Sequence, residues 1–270
     1  MKRQIEYYLN EIGMIIENNR NEKQINSELY KATAQLDSAE LSIDSRVHIA
    51  HYLLKKLSRE QRMCLCQEII TEQIVKQREK LAHWSTLTAQ SGMIDTGYIA
   101  QHLVSLCTRI PGQGMRGKGV DLIDGSEVKS ANFIDSKDKK GVTEPRWNFS
   151  ASNDEKLLDF LHYKYIFLVS LDYSPDRNYR IRIWKIDVRT HTALRKRYKE
   201  WVNNTERNSR NFQLFPPKSE TNSIYAHHGS DKKGQLPPTE IALENVMGAK
   251  KIFHAEVIDD NVRIFTFEED

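Results

Sequence analysis

Asp121, Glu127 and Lys129 share one short stretch, Gly117-Lys118-Gly119-Val120-Asp121-Leu122-Ile123-Asp124-Gly125-Ser126-Glu127-Val128-Lys129-Ser130-Ala131. If Ser126 to Ala131 is a strand, alternate side chains share a face, so Glu127 and Lys129 point the same way. The carboxylates of Asp121 and Glu127, with the backbone carbonyl of Val128, make a set of hard oxygen ligands of the kind that Mg²⁺ takes. Lys129 beside them is suited to position or help deprotonate a water and to offset charge growing on a phosphate. A metal held there would make that water more acidic and stabilise the transition state. A buried ammonium is costly without a partner, and the flanking acids remove that cost. The competing reading is a solvated charged hairpin, because Glu-x-Lys alternation is common on exposed strands.

Turn geometry decides whether the three groups meet. Val120 to Ile123 and Ser126 to Ala131 read as two strands joined at the turn signal Asp124-Gly125. A two-residue loop pairs Leu122 with Glu127 and sends Asp121 to the wrong face. A three-residue loop, Asp124-Gly125-Ser126 with a left-handed glycine, pairs Asp121 with Lys129 and builds the site. The expectation is therefore a three-residue or bulged turn.

Cations cluster in three places. Gly112-Gln113-Gly114-Met115-Arg116-Gly117-Lys118 approaches a phosphate-binding loop, but Gly119 stands where Ser or Thr is needed, and a strand follows instead of a helix. Arg116 and Lys118 there either approach the phosphates of a nucleic acid or sit on a mobile loop. The segment Asn132 to Phe149 carries Lys137, Lys139, Lys140 and Arg146 and is expected to face DNA, with the choice between packing and base reading open for Trp147 and Asn148. Asp176 to Arg210 holds eleven Arg and Lys against four Asp and Glu, with Trp184, Tyr198 and Trp201 interleaved. Arg180, Arg182, Arg195, Lys196 and Arg197 are its candidates for phosphate contact or for reading guanine edges.

Other chemistry is thin. Cys64, Cys66 and Cys107 are too few for a disulfide scaffold and lack zinc-site partners, so reduced structural thiols are expected. His48 and His51, and His227-His228, have no partners at metal-ligand spacing.

The elements that must position the site read as follows. Residues 1–90 contain one glycine and no proline, and Ile5, Tyr8, Leu9, Ile12, Ile15 and Ile16 repeat at helical spacing. Asp44 to Lys56 and Ser58 to His83 continue the habit. This helical N-terminal region is expected to dimerise or to clamp DNA, and residues 91–270 to form the core with the recognition elements. A helix from Asp95 to Arg109 ends before Pro111. Tyr165 to Leu171 reads as a buried strand, Tyr179 to Val188 as a half-exposed one, Thr190 to Val202 as a helix and Val262 to Phe267 as a last strand. The fold class is α/β, a mixed sheet flanked by helices. The net charge of +3 is too small for a purely electrostatic DNA coat. No apolar run reaches the roughly 20 residues of a membrane span, and no signal-peptide core is present, so a cytoplasmic protein is expected.

Asp121 followed by Glu127-Val128-Lys129 resembles the motif of PD-(D/E)xK nucleases, the fold shared by most type II restriction endonucleases. The fuller run from Gly117 to Ala131, with Pro145-Arg146-Trp147-Asn148 after it, looks more particularly like the MamI-type restriction endonucleases. The class match covers Asp95 to Val188. It departs from the pattern in having Val120 where many members have proline, and in the short spacing from Asp121 to Glu127. The resemblance implies a restriction-endonuclease-like core and Mg²⁺-dependent, site-specific hydrolysis of both strands of double-stranded DNA. It also implies a homodimer, since two symmetric cuts need two sites. The rival functions are a structure-specific repair or recombination nuclease, a non-catalytic DNA-binding protein, and a helical interaction protein with no nucleic-acid role.

Overall fold

A computed structural model describes residues 2–18, 24–37, 41–115, 119–135, 137–138, 141–142, 144–151, 153–207 and 209–268. The N-terminal region is helical: α1 (Lys2–Asn18), α2 (Ile25–Asp37), α3 (Ile43–Lys56) and α4 (Arg59–Ile69). Ser58 starts α4 with a reciprocal capping box, its hydroxyl accepting from Gln61 while the Gln61 side chain accepts from the Ser58 N–H. The helix continues through a π-helical stretch, Ile70–Lys76, into α5 (Gln77–Thr88). The apolar stripe seen in the sequence becomes a local core of Leu9, Ile12, Ile16, Ile25, Leu29, Ile49 and Leu57.

A second core begins at α4 and joins the sheet. Helix α6 (Thr96–Thr108) buries Ala100, Leu103, Val104, Leu106 and Cys107, and these pack with Cys66, Ile70 and Ile74 against one sheet face. Arg62, wholly buried, fixes the end of α6 by donating to the Leu106 and Cys107 carbonyls at 2.8 and 3.2 Å. Cys66 and Cys107 are free thiols in this core.

The sheet has five strands: β1 (Glu127–Asn132), then, after the small strands β2 (Lys137–Asp138), β3 (Gly141–Val142) and β4 (Trp147–Ser150), β5 (Ile166–Tyr173) and β6 (Tyr179–Ile186). Helix α7 (Thr192–Asn203) and strands β7 (Asn211–Leu214), β8 (Tyr225–His228) and β9 (Thr239–Ala242) precede β10 (Ala249–Ile258) and β11 (Asn261–Phe267). The order is β1-β5-β6-β10-β11. β1 runs parallel to β5 and the other neighbours are antiparallel, which is a mixed sheet with β1 at an edge. The alternation of β5 shows the two faces. Phe167, Val169 and Leu171 face α6, and Ile166 and Leu168 face a third core built from α7, β4, β7 and a 3₁₀ helix, Glu155–His162.

Two expectations are corrected by the fold. Val120 to Ile123 is not a strand: only Leu122 bridges, to Gly112, and the segment is a turn. β6 is not half-exposed, because Arg180 and Arg182 are 1% and 3% exposed. Asp172, opposite Arg180 on β5, accepts from Arg180 at 2.9 and 3.1 Å and from Arg182 at 2.5 Å. A shared buried carboxylate turns the outer face of an alternating strand into an inner one. Among the described residues no helix is long and apolar enough to cross a membrane.

Candidate active site

The site forms where a turn meets the free edge of the sheet. Glu127 donates its N–H to the Tyr165 carbonyl, and Phe133, beyond the other end of β1, donates to Leu171. Odd-numbered backbone groups of β1 therefore face β5, and those of Val128 face outward along the open edge. Asp121 fills that edge. Its Oδ2 accepts the Val128 N–H at 2.9 Å, and its Oδ1 accepts from Gln101 Nε2 of α6 at 2.7 Å.

The turn that brings Asp121 there is closed by its own backbone. Leu122 N–H donates to the Ser126 carbonyl at 3.1 Å and Gly125 N–H to the Leu122 carbonyl at 3.2 Å. Gly125 has φ +88°, the left-handed conformation expected of it. Asp124 caps the Ser126 N–H at 3.1 Å and pairs with Lys164 at 3.2 Å. The incoming segment is tied down by Gln113, whose side chain donates to the Leu122 carbonyl at 3.0 Å. The hairpin register expected from the sequence is thus replaced. Asp121 reaches the site from beside β1, not from a paired strand.

Glu127 and Lys129 share the other face of β1, toward the third core. Lys129 Nζ donates to Glu127 Oε1 and lies 5.8 Å from the centre of the Phe149 ring. Glu127 is 4% exposed, and its Oε2 is buried with no hydrogen-bond partner among the described residues. Burial pushes its carboxyl up to about 6, with the Asp121 charge adding to the rise and Lys129 and the Asp121 main chain opposing it. Tyr163 lies near enough to feel both acids. Burial and the Glu127 charge raise its hydroxyl above the usual range. A buried acid with one orphaned oxygen, a second acid fixed at its side and an outward-facing carbonyl between them suit a hard divalent cation. Among the described residues no three His, Cys, Asp or Glu side chains converge on one point, so such an ion would draw on Asp121, Glu127 and the Val128 carbonyl, with water completing its shell.

The chain matches the family model for MamI restriction endonucleases over residues 83–255, from α5 to β10. That span covers well over half of the 270 residues and includes α6, the turn and β1. The chain belongs to the MamI restriction endonuclease family. A curated relative, the type II restriction enzyme MamI of Microbacterium ammoniaphilum, is 36% identical over 192 residues, covering 65% of this chain and 61% of the relative. The chain thus spans about three fifths of the length of the curated relative it matches. No solved structure matches.

In this MamI-family chain the basic candidates separate sharply. Arg180 and Arg182 are committed to Asp172. Arg197 is 6% exposed; its Nε donates to His228 Nδ1 at 2.8 Å and its Nη2 to the Pro237 carbonyl. These three are internal braces, a correction to the expectation that they face DNA. Arg195 is half-buried and Lys196 exposed on α7. Arg146 is exposed, donating to Gln213 at 3.3 Å. Arg116, Lys118, Lys139 and Lys140 lie outside the described residues, and of Lys137 only the backbone, in β2, is described. Trp147 is a packing residue, wholly buried, donating to the Val169 carbonyl at 2.8 Å, while Asn148 is exposed and accepts from Gln213.

Sequence reasoning missed Gln101 and Phe149, which reach the site from elements remote in sequence. Gln101 is one polar side chain in a helix read only for its apolar side. A cleft of about 1180 Å³ between α2, α3, α6 and the turn has Asp121 and Gln101 in its wall, which no linear pattern announces.

Proposed function

We propose that this chain is a type II restriction endonuclease that hydrolyses phosphodiester bonds in both strands of duplex DNA at a specific sequence, using Mg²⁺. The observation that supports the reading is Asp121 held on the Val128 N–H at the open edge of β1, with Glu127 and Lys129 paired on either side of Val128, in a chain of the MamI family. In this reading Asp121, Glu127 and the Val128 carbonyl hold the ion. When bound it supplies positive charge at the scissile phosphate and a more acidic water.

The protein groups do the rest. Lys129 is anchored by Glu127, so its ammonium is held at the mouth of the site, where it orients water and donates to a phosphate oxygen as charge develops. The ring of Phe149 beneath that ammonium keeps its stem in place. Burial of Glu127 keeps bulk water from one side of the site, which strengthens each electrostatic contact there.

One such site cuts one strand. Cleavage of both strands is served by a homodimer, with residues 1–90 as the dimerisation or clamping region and residues 91–270 as the nuclease core with its recognition elements. The natural setting is the cytoplasm, and double-stranded DNA is the partner.

The test is digestion of plasmid DNA with the purified chain and Mg²⁺, followed by sequencing of the fragment ends. Discrete fragments with one shared end sequence are expected. Cutting only at branches or mismatches would replace this reading with a structure-specific nuclease, and no Mg²⁺-dependent cutting at all would leave a DNA-binding protein.

A further inference from the structure

The carboxylate of Asp121 is gripped from two sides, by the strand that follows it and by a helix 20 residues before it. Val128 N–H of β1 takes Oδ2 at 2.9 Å and Gln101 of α6 takes Oδ1 at 2.7 Å. A carboxylate only accepts, so the Gln101 amide must present its nitrogen. Each carboxylate oxygen has two lone pairs. One donor on each oxygen leaves the other lone pair for a cation and fixes the plane of the group.

Helix α6 is a firm base for that grip. Its Thr96 hydroxyl, at the N-terminal end of the helix, hydrogen-bonds Ser130 of β1 at 3.0 Å. Its inner face is buried against the sheet, and its last carbonyls are held by Arg62. Gln101 itself is only half-buried and lines the cleft beside Asp121. It is thus not needed to fill the core.

We propose that Gln101 is a positioning residue for the metal site: its side-chain amide orients Asp121 for the ion without adding a charge of its own. The inference rests on the reading of Asp121 as a metal ligand. Groups that orient a ligand from behind typically change metal affinity by about 10- to 100-fold when removed.

The experiment titrates Mn²⁺ alone, without DNA, into wild type, Gln101→Met, Gln101→Ala and Asp121→Ala by calorimetry, with melting curves of each in a chelator. Methionine keeps the length of glutamine and removes the donor, and alanine gives a second replacement should the longer side chain pack badly. Both Gln101 variants should bind Mn²⁺ about tenfold or more weakly and melt within a degree or two of wild type. Raising the metal concentration should restore DNA cleavage in both. Unchanged Mn²⁺ affinity in either folded Gln101 variant, with affinity abolished in Asp121→Ala, overturns the role of Gln101 alone. Unchanged affinity in Asp121→Ala overturns the metal site and this inference with it. A lower melting temperature with unchanged affinity makes Gln101 merely structural.

Discussion

Asp121 accepts the N–H of Val128 at 2.9 Å although the chain between them forms no strand hairpin. The acid is therefore delivered by the turn, and its place depends on the hydrogen bonds of the turn and on the free edge of β1. Removing it strips one of two carboxylates from the proposed ion site while leaving the buried core intact. Asp121→Ala is expected to lower cleavage by about a thousandfold, the scale of several kcal/mol of charge stabilisation, and to keep a wild-type circular dichroism spectrum. Cleavage within tenfold of wild type would remove Asp121 from the site.

Glu127 stands in tension with the folded state. Its Oε2 is buried and lacks a hydrogen-bond partner among the described residues, and a buried unsatisfied charged oxygen costs at least about 1 kcal/mol. Glu127→Gln removes the charge that burial and Asp121 disfavour and keeps an oxygen that accepts from Lys129, with the amide nitrogen in the place of Oε2. In a chelator the variant should melt higher than wild type by a few degrees, and with Mg²⁺ it should lose cleavage. This is the trade expected where function requires local destabilisation. A variant less stable than wild type in the chelator would show that the carboxylate is satisfied without metal.

Much of this was legible in the sequence, and what was not has physical causes. The helices of the N-terminal region, α6, β1, β5, α7 and β11 follow from apolar periodicity and from breakers such as Pro111, which act locally. The pairing of Glu127 with Lys129 follows from the two-residue repeat of a strand. The route of Asp121 did not, because Asp124-Gly125 signals a turn without saying that the first arm goes unpaired. Arg180 and Arg182 mislead because alternation with isoleucine looks the same whether the cations meet water or Asp172. Arg197 misleads for a similar reason: its partners, His228 and Pro237, lie 31 and 40 residues away.

The Asp172 cluster gives a stability prediction free of the active site. Two guanidiniums converge on one carboxylate that is wholly buried. Burial lowers the basicity of Arg182, and Asp172 opposes that loss. Deleting the acid leaves two buried cations without their charge partner, an effect of about 3–5 kcal/mol. Asp172→Ala should lower the unfolding free energy measured in urea by that amount or fail to fold at 37 °C. A shift below about 1 kcal/mol would mean that the loop carbonyls of Thr221 and Ser223 alone satisfy the pair.

His228 predicts how stability responds to acid. Burial, with the Arg197 guanidinium adding to it, lowers its ring to about 4 from an ordinary 6.5. The folded protein therefore holds the neutral ring while the unfolded chain takes up a proton below 6.5. The contribution to stability is whole above pH 6.5 and is lost as pH falls from 6.5 toward 4, at up to about 1.4 kcal/mol per pH unit. His228→Asn offers Arg197 an oxygen in place of Nδ1 and does not titrate. Across that window its denaturation midpoint should fall less steeply than that of wild type, and parallel slopes would show that His228 is protonated in the fold.

The salt dependence of DNA binding separates internal braces from groups that meet the phosphates. Arg180, Arg182 and Arg197 are consumed by internal partners, so the charges left for DNA among the described candidates are Arg146, Arg195 and Lys196. Lys196 is only weakly restrained by Glu200: its ammonium lies 4.0 Å from that carboxylate on an exposed helix face, a geometry worth at most about 1 kcal/mol and easily exchanged for a phosphate. Arg146 likewise donates to the neutral Gln213 amide at 3.3 Å. Removing one cation that neutralises a phosphate lowers the slope of log K against log salt by about 0.9. Arg146→Gln, Arg195→Gln and Lys196→Gln combined should therefore reduce the slope by roughly 2 to 3, with an unchanged melting temperature. A slope equal to that of wild type would take these three side chains off the phosphate path.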